Sequence, residues 1–152
     1  MRITIACVGR ARAGPALALY QDYAGRLPWP VALREVEERK PRPVAERIAR
    51  EAELLRQAVP ARARLVALDE TGKLLSSVDF AKRLGRWSDD GIADLAFLIG
   101  GADGLDPALR SAADLVLSLG PMTWPHLLVR GMLAEQLYRA ASILAGHPYH
   151  RG

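Results

Sequence analysis

Short apolar runs recur along the chain and alternate with longer amphipathic segments. Three of these runs are almost wholly apolar: ITIACV (3–8), RLVALD (64–69) and LAFLIG (95–100). Two weaker ones are VALREVE (31–37) and DLVLSL (114–119). Runs of this length bounded by turn-forming residues are typical of buried strands. The pattern therefore predicts five β-strands.

The segments between the strands have helical periodicity. We expect helices over 15–27, 43–59, 76–87 and 126–146. Pro15 suits a first helical turn, Ser76 is a candidate N-cap with Asp79 three residues later, and Gly146 is a candidate C-cap. Alternation of strands and helices predicts an α/β protein with a mostly parallel sheet flanked by helices, built as one domain over residues 1–152.

The last predicted helix carries two apolar stripes instead of one. The first stripe contains larger residues: Val129, Met132, Leu133, Leu137, Ala140 and Leu144. The second contains mainly small ones: Leu127, Gly131, Ala134, Tyr138, Ala141 and Ala145. A helix on the surface of a sheet needs only one stripe. The second favours a homodimer interface, and the alternative is a central helix within one compact domain.

Composition and charge narrow the class of protein. No apolar run is long enough to span a bilayer, and the single cysteine, Cys7, lies inside a predicted strand, so we expect no membrane association, a cytoplasmic location and no internal disulfide. Residues 1–64 hold 13 Lys and Arg against 7 Asp and Glu, whereas residues 65–152 hold 8 against 10. The positive N-terminal half indicates either a polyanionic partner or a solvated basic surface.

Three predicted strands end in segments rich in glycine, proline and small polar residues. These segments are LVALDETGK, LIGGADGLDP and SLGPMTWPH. Ligands of open α/β sheets bind at the carboxyl ends of the strands, and glycines let a backbone approach a ligand closely. The three ends predict a nucleotide-type pocket, although ordinary tight turns would give the same pattern. A dinucleotide-binding oxidoreductase remains an alternative, but the glycine spacing departs from G-x-G-x-x-G.

All three histidines, His126, His147 and His150, fall within the last 27 residues. HPYH places two of them three residues apart, but no nearby cysteine or carboxylate cluster completes a metal site, and we predict none. No serine–histidine–aspartate arrangement or P-loop pattern is present.

Four segments together resemble a known family. LDETGK, FLIGGADGL, LSLGPMTWPHLLVRGMLAEQLYRA and GHPYHRG, in this order and spacing, are similar to the RlmH (YbeA-like) ribosomal RNA methyltransferases of the SPOUT class. The resemblance implies a C-terminal deep trefoil knot, a homodimer and S-adenosylmethionine (SAM) as methyl donor. It also implies methylation of N3 of a pseudouridine in 23S rRNA of the assembled 70S ribosome. A ribosome-binding protein without activity is a further alternative.

The resemblance carries over to particular positions. It implies that the cofactor contacts are Leu68, Gly101, Gly120, Pro121, Met122, Thr123, Trp124 and Pro125. We expect Tyr149 and His150 to place the nucleobase, Arg130 and Arg151 to contact the RNA, and His126 or His150 to handle the imide proton.

Simpler structural roles are open for some of these residues. His126 could only cap the final helix, and Arg139 could only form a helical ion pair with Glu135. His147 is expected to be structural. The candidate RNA surface includes Arg10, Arg12, Arg39, Lys40 and Arg42.

Overall fold

The computed structural model describes all residues from 1 to 152 and contains five strands and five helices. The strands are β1 (Arg2–Val8), β2 (Val31–Val36), β3 (Arg64–Leu74), β4 (Asp94–Ile99) and β5 (Leu115–Ser118). The helices are α1 (Pro15–Ala24), α2 (Val44–Ala58), α3 (Ser77–Asp89), α4 (Pro107–Ala112) and α5 (His126–Leu144). The strands form one sheet in the order β2-β1-β4-β3-β5, and every pair is parallel. The predicted α/β architecture is confirmed.

Alternate residues of each strand face opposite sides of the sheet and form part of two apolar layers. Ile3, Ile5 and Cys7 of β1 pack beneath α1, α3 and α5, while Ala6 and Val8 face α2 and α4. A parallel sheet covered by helices on both faces needs apolar residues at nearly every strand position, which explains the continuous runs. Burial raises the pKa of the Cys7 thiol to about 12. This cysteine is therefore an inert core residue, as predicted.

Local signals place the helix ends. Pro15 begins α1, and the Ser76 hydroxyl accepts a hydrogen bond of 3.1 Å from the Asp79 amide at the start of α3. The C-cap of α5 is Ala145, one residue before the predicted Gly146, which has a left-handed φ of +70°. The amide of His147 donates to the Ser142 carbonyl at 2.9 Å. None of the helices combines the length and apolar character needed to cross a membrane.

Strand β3 extends beyond the end that its sequence predicts. Leu68 and Lys73 both pair with Leu117 of β5, so residues 69–72 form a bulge inside the strand. A Cβ atom on Gly72 would lie 2.7 Å from the carbonyl carbon of Val116, so only glycine permits this close approach. The expected turn after Leu68 is therefore a bulge that returns the chain to the same partner strand. The sequence also gave no sign of the short helix α4.

Helix α5 lies between α1 and α3 on one face of the sheet. Leu133 and Leu137 of the first stripe and Ala134 of the second are fully buried. A Cβ atom on Gly131 would lie 2.7 Å from Cδ2 of Leu19, so the small stripe lets α1 approach closely. The central-helix interpretation therefore accounts for both stripes within one chain, and the homodimer remains a prediction.

Candidate active site

A cavity opens at the carboxyl ends of β3, β4 and β5, where the sequence predicts a pocket. Its volume is about 710 Å³, within the range of roughly 300–1,000 Å³ usual for small-molecule sites. Of the eight expected cofactor residues, Pro121 does not line this cavity. The other seven do: Leu68, Gly101, Gly120, Met122, Thr123, Trp124 and Pro125. Three distant segments of the chain thus converge on one cavity.

The glycine-rich segment after β4 forms one wall. The amide of Gly104 donates to the Gly101 carbonyl at 3.1 Å, and Gly104 has a left-handed φ of +83°. A Cβ atom on Gly100 would lie 2.7 Å from the carbonyl carbon of Gly104, and one on Gly101 would lie 3.0 Å from Cγ1 of Val8. Side chains are therefore excluded from the tightest part of the wall, which leaves backbone groups facing the cavity.

The opposite wall is the segment between β5 and α5. The Ser118 hydroxyl accepts a hydrogen bond of 3.0 Å from the amide of Gly120, which has a left-handed φ of +109°. Beyond this turn Met122 has 71% of its surface exposed and Trp124 has 41%. Exposed large apolar side chains beside a cavity are typical of surfaces that contact a ligand or another protein.

Carboxylates beside the cavity were not among the predicted site residues. Burial alone raises the pKa of Asp69, but hydrogen bonds from Thr71 and Arg110 outweigh it and hold the pKa below its usual value. Glu70 and Asp103 also line the cavity, and a Glu70 oxygen lies 3.5 Å from the Thr123 hydroxyl. Arg110 pairs with Asp69 and Arg47 pairs with Asp103, so Glu70 is the one of the three that forms no ion pair. The signal for Asp69 and Glu70 was the DE pair directly after Leu68.

His126 is the first residue of α5, and its side chain lines the cavity. Its ring does not cap the helix, since no side chain caps the start of α5. Burial lowers the pKa of His126, and the nearby charge of Arg130 lowers it further. The imidazole is therefore neutral at pH 7 and is able to accept a proton.

The lowered pKa of His126 predicts a pH effect on stability. Between the folded pKa and the ordinary value near 6.5, the unfolded chain binds a proton that the folded protein does not. We expect the free energy of unfolding to decrease as pH falls from about 7.5 to about 5, and to decrease less in His126→Gln. Urea unfolding at both pH values measures the free energy of unfolding.

The control is His147→Gln, which removes an exposed histidine. An equal effect of the two substitutions on the pH dependence would contradict the prediction.

Arg130 was expected to contact the RNA, but its side chain does not face solvent. Its side chain is only 2% exposed, and its guanidinium donates to Glu35 at 2.6 Å and to the Gly9 carbonyl at 2.8 Å. Glu35 also accepts a hydrogen bond of 2.5 Å from the Ala11 amide. Arg130 thus ties α5 to the ends of β1 and β2, and it is removed from the predicted RNA contacts. A guanidinium can donate five hydrogen bonds, which suits it to this crowded position.

The C-terminal tail, residues 147–152, folds back along α5. The Tyr149 hydroxyl donates to Glu135 at 3.0 Å, and its ring packs edge-on against Tyr138 with centroids 4.7 Å apart. The Arg139 guanidinium lies 4.8 Å from the centroid of the Tyr149 ring. His147 has the expected structural role, since its Nδ1 accepts from the Tyr149 amide at 3.2 Å. The tail therefore has defined contacts, whereas most chain ends are frayed.

The contact between His150 and Arg139 determines which ring nitrogen of His150 is able to donate a hydrogen bond. Arg139 forms the expected ion pair with Glu135, and its Nη1 also lies 3.1 Å from Nδ1 of His150. Arginine only donates hydrogen bonds, so Nδ1 of His150 accepts and the proton of the neutral ring sits on Nε2. In this arrangement His150 is a hydrogen-bond donor through Nε2. Of the two expected proton acceptors, the arrangement therefore favours His126.

The tail and the cavity are apart within one chain. His126 lies at the cavity, whereas Arg139, which contacts His150, is 13 positions further along α5. At about 1.5 Å per residue this places them roughly 20 Å apart along the helix axis. Tyr149, His150 and the exposed Arg151 do not line the cavity. The structure thus brings the expected cofactor residues together but leaves the tail residues in a separate group.

The basic N-terminal surface is partly neutralised. Arg10 and Arg39 pair with Glu37, and Arg42 and Arg50 pair with Glu38. Arg12 and Lys40 are exposed and form no ion pair. Positive charge remains in excess around the loops that follow β1 and β2, at the same edge of the sheet as the cavity. No group of three or more histidine, cysteine or carboxylate side chains is arranged to hold a metal ion.

A parallel sheet with a glycine-walled cavity at its carboxyl edge defines an α/β protein that binds a nucleotide-type ligand. Comparison with known proteins identifies the branch of that class. The sequence model described as "Predicted SPOUT methyltransferase" matches residues 1–150, and the chain belongs to this family. The family match therefore does not support the alternative of a dinucleotide-dependent oxidoreductase.

Relatives match along the whole chain. "Ribosomal RNA large subunit methyltransferase H" of Rhodospirillum centenum is 62% identical over 152 residues, covering 99% of both chains. The protein of the same name from Paramagnetospirillum magneticum is 58% identical over 151 residues with the same coverage. Among solved structures, a probable methyltransferase from Bordetella pertussis has a TM-score of 0.61 and 16% identity, covering 91% of this chain and 95% of its own. That likeness supports the fold.

Proposed function

We propose that this protein transfers a methyl group from SAM to N3 of a pseudouridine in the large-subunit rRNA of the assembled 70S ribosome. Family membership supports methyl transfer, and the names of the full-length relatives support large-subunit rRNA as the substrate. The proposal places the protein in the cytoplasm, where ribosomes are found. It also treats residues 1–152 as one domain that acts as a homodimer.

The cavity fits SAM in shape and charge. Leu68, Ile99 and Val129 offer apolar surface for an adenine ring, and the glycine wall offers backbone hydrogen-bond groups. SAM carries a sulfonium and an ammonium group, and the carboxylate of Glu70, which forms no ion pair, supplies negative charge beside them. Residues 101 and 120–125 would hold the cofactor by their backbone.

When bound, SAM supplies a methyl group already activated by the positive sulfur, so the protein mainly positions the reactants. N3 of pseudouridine must lose its imide proton as the new bond forms. Neutral His126, at the cavity wall, accepts a proton; the Nε2–H of His150 donates a hydrogen bond to a base carbonyl, where negative charge develops. Arg151, exposed and unpaired, contacts a phosphate.

The separation of tail and cavity carries the homodimer proposal. Within one chain, the residues holding His150 are roughly 20 Å along α5 from His126. A second copy related by twofold symmetry can bring its tail to this cavity, and the same contact is then repeated at the other site. Exposed Met122 and Trp124 beside the cavity supply apolar surface for such a contact.

Methyl transfer from labelled SAM tests the proposal directly. We expect label in large-subunit RNA when purified protein is incubated with 70S particles, and much less with free subunits. Mapping by mass spectrometry should place the methyl group on a pseudouridine. If SAM binding is confirmed by calorimetry but no RNA is labelled, the rRNA substrate is wrong while the cofactor stands. Label in free large subunits alone would contradict the requirement for the assembled ribosome.

The unpaired basic residues predict a salt-dependent contact with the ribosome. We expect Arg12→Glu combined with Lys40→Glu to weaken 70S binding at low salt and to lower the slope of log affinity against log salt by about two, one for each lost phosphate contact. Filter binding across a salt series measures both. Arg62→Glu is the matched control, since Arg62 is also exposed and unpaired but precedes β3 at the opposite edge of the sheet. An unchanged slope would remove this surface from the proposal.

A further inference from the structure

We propose that Tyr23, on α1, is a positioning residue for methyl transfer: its hydroxyl holds Tyr149 against Glu135 and so fixes the C-terminal tail. This inference rests on the proposed function, which gives the tail its part in the reaction. Tyr23 was not among the candidate residues, because it lies 126 positions from Tyr149 and in no motif at the C-terminus.

The hydrogen bonds define one direction of donation. The Tyr149 hydroxyl donates its only proton to Glu135 at 3.0 Å. The hydroxyl oxygens of Tyr23 and Tyr149 are 3.2 Å apart, so Tyr23 must be the donor in this contact. Protons therefore point from Tyr23 through Tyr149 to the carboxylate. Hydrogen bonds arranged in such a chain polarise and strengthen one another.

Glu135 is a fixed end point for this chain. Arg139 donates to its Oε1 at 2.9 Å and 2.5 Å, and Gln136 donates to its Oε2 at 3.0 Å. Arg139 in turn contacts Nδ1 of His150. One connected network thus runs from α1 through Tyr149, Glu135 and Arg139 to His150. A change in the orientation of Tyr149 is transmitted to the donor group of His150.

The ring of Tyr23 is held independently of its hydroxyl. The Tyr23 ring packs against the Tyr138 ring with centroids 6.1 Å apart. The Arg26 guanidinium lies 5.3 Å from the centroid of the Tyr23 ring. The substitution Tyr23→Phe should therefore keep the ring in place and remove only the contact with Tyr149. Tyr149 itself follows the end of α5 and is outside the buried core clusters.

The hydrogen-bond network lies beside a groove that adjoins the proposed cofactor cavity. Tyr23 and Glu135 line a groove of about 570 Å³ that shares Leu119 and Gly120 with the cofactor cavity. Glu135, which accepts from Tyr149, therefore lies in the groove that adjoins the cavity.

The test compares Tyr23→Phe with Tyr20→Phe in the full-length protein. Tyr20 lies one turn earlier on α1, is buried, and contacts no tail residue by a hydrogen bond. For Tyr23→Phe we expect kcat for ribosome methylation to fall about fivefold to tenfold, the effect of one lost hydrogen bond, with KM for SAM unchanged. Hydrogen exchange of the peptide covering 147–152 should become faster.

The outcomes separate this proposal from the function on which it rests. Faster exchange and lower kcat in Tyr23→Phe alone support it. A wild-type kcat, or an unchanged tail, overturns it. Equal losses in both variants, or a weaker affinity for SAM, mean a general structural effect and also overturn it. If the unmodified protein methylates no RNA, the proposed function fails and the positioning role falls with it, while exchange still reports whether Tyr23 holds the tail.

Discussion

Gly101→Val is expected to keep the fold and to weaken SAM binding by about 1000-fold or more, which corresponds to about 4 kcal/mol. A Cβ atom at this position already lies 3.0 Å from Cγ1 of Val8 and 3.6 Å from a carboxylate oxygen of Glu51. Val8 is not free to retreat, because it is part of a buried strand. The two added methyl groups must therefore displace the glycine wall into the space that the cofactor needs.

Isothermal titration calorimetry with SAM measures this loss, and circular dichroism checks that the fold is retained. Gly85→Ala is a suitable control, since its new Cβ would lie 3.0 Å from Cδ2 of Leu144, the movable end of a half-exposed side chain. We expect the control to bind SAM normally. Normal affinity in Gly101→Val would exclude this wall of the cavity from the cofactor site.

Deletion of Tyr149–Gly152 should abolish methyl transfer, by about 1000-fold or more, and leave SAM affinity unchanged. The deletion removes the Nε2 donor of His150 and the free charge of Arg151 but no residue that lines the cavity. Retaining His147 preserves its backbone hydrogen bond to Ser142 at the end of α5. Calorimetry and the labelled-SAM assay on 70S ribosomes measure the two effects separately. Transfer at the normal rate would show that the tail has no part in catalysis.

The same two variants test whether the site is shared between copies. If the protein is the proposed homodimer, co-expressed chains, one carrying Gly101→Val and the other lacking Tyr149–Gly152, will form some mixed dimers. Such a dimer has one cavity that binds SAM, and an intact tail on the other chain. We expect transfer to return in the mixed dimer, although each variant is inactive alone. Failure to complement, with mixed dimers shown by differential tags, would contradict a shared site.

Much of the fold follows from local sequence signals. The buried strands are continuous apolar runs because both faces of the sheet are covered, and Pro15, Ser76 and Gly146 mark helix ends through their own stereochemistry. The glycine wall of the cavity could also be predicted, since GGADG follows a strand and glycine excludes side chains from tight turns. These features depend on residues close to one another in sequence.

Features that depend on distant residues could not be predicted. The burial of Arg130 results from Glu35 and the Gly9 carbonyl, which are 95 and 121 positions away. The bulge in β3 arises because residues on both sides of it pair with Leu117 of a later strand. The role of Tyr23 likewise depends on a contact with the end of the chain. In each case the partner is chosen by the tertiary structure, and no periodicity in the sequence points to it.

The central position of α5 has a consequence for biosynthesis. Chains are made from the N-terminus, and the strands can pair before residues 126–144 have left the ribosome. Until then, the sheet face that contains Ile5, Cys7 and Phe97 lacks the cover of Leu133 and Leu137. The nascent protein therefore presents a large apolar surface late in translation, and a product that stops before α5 exposes this surface permanently. Release of the full chain lets Leu133 and Leu137 cover this face of the sheet.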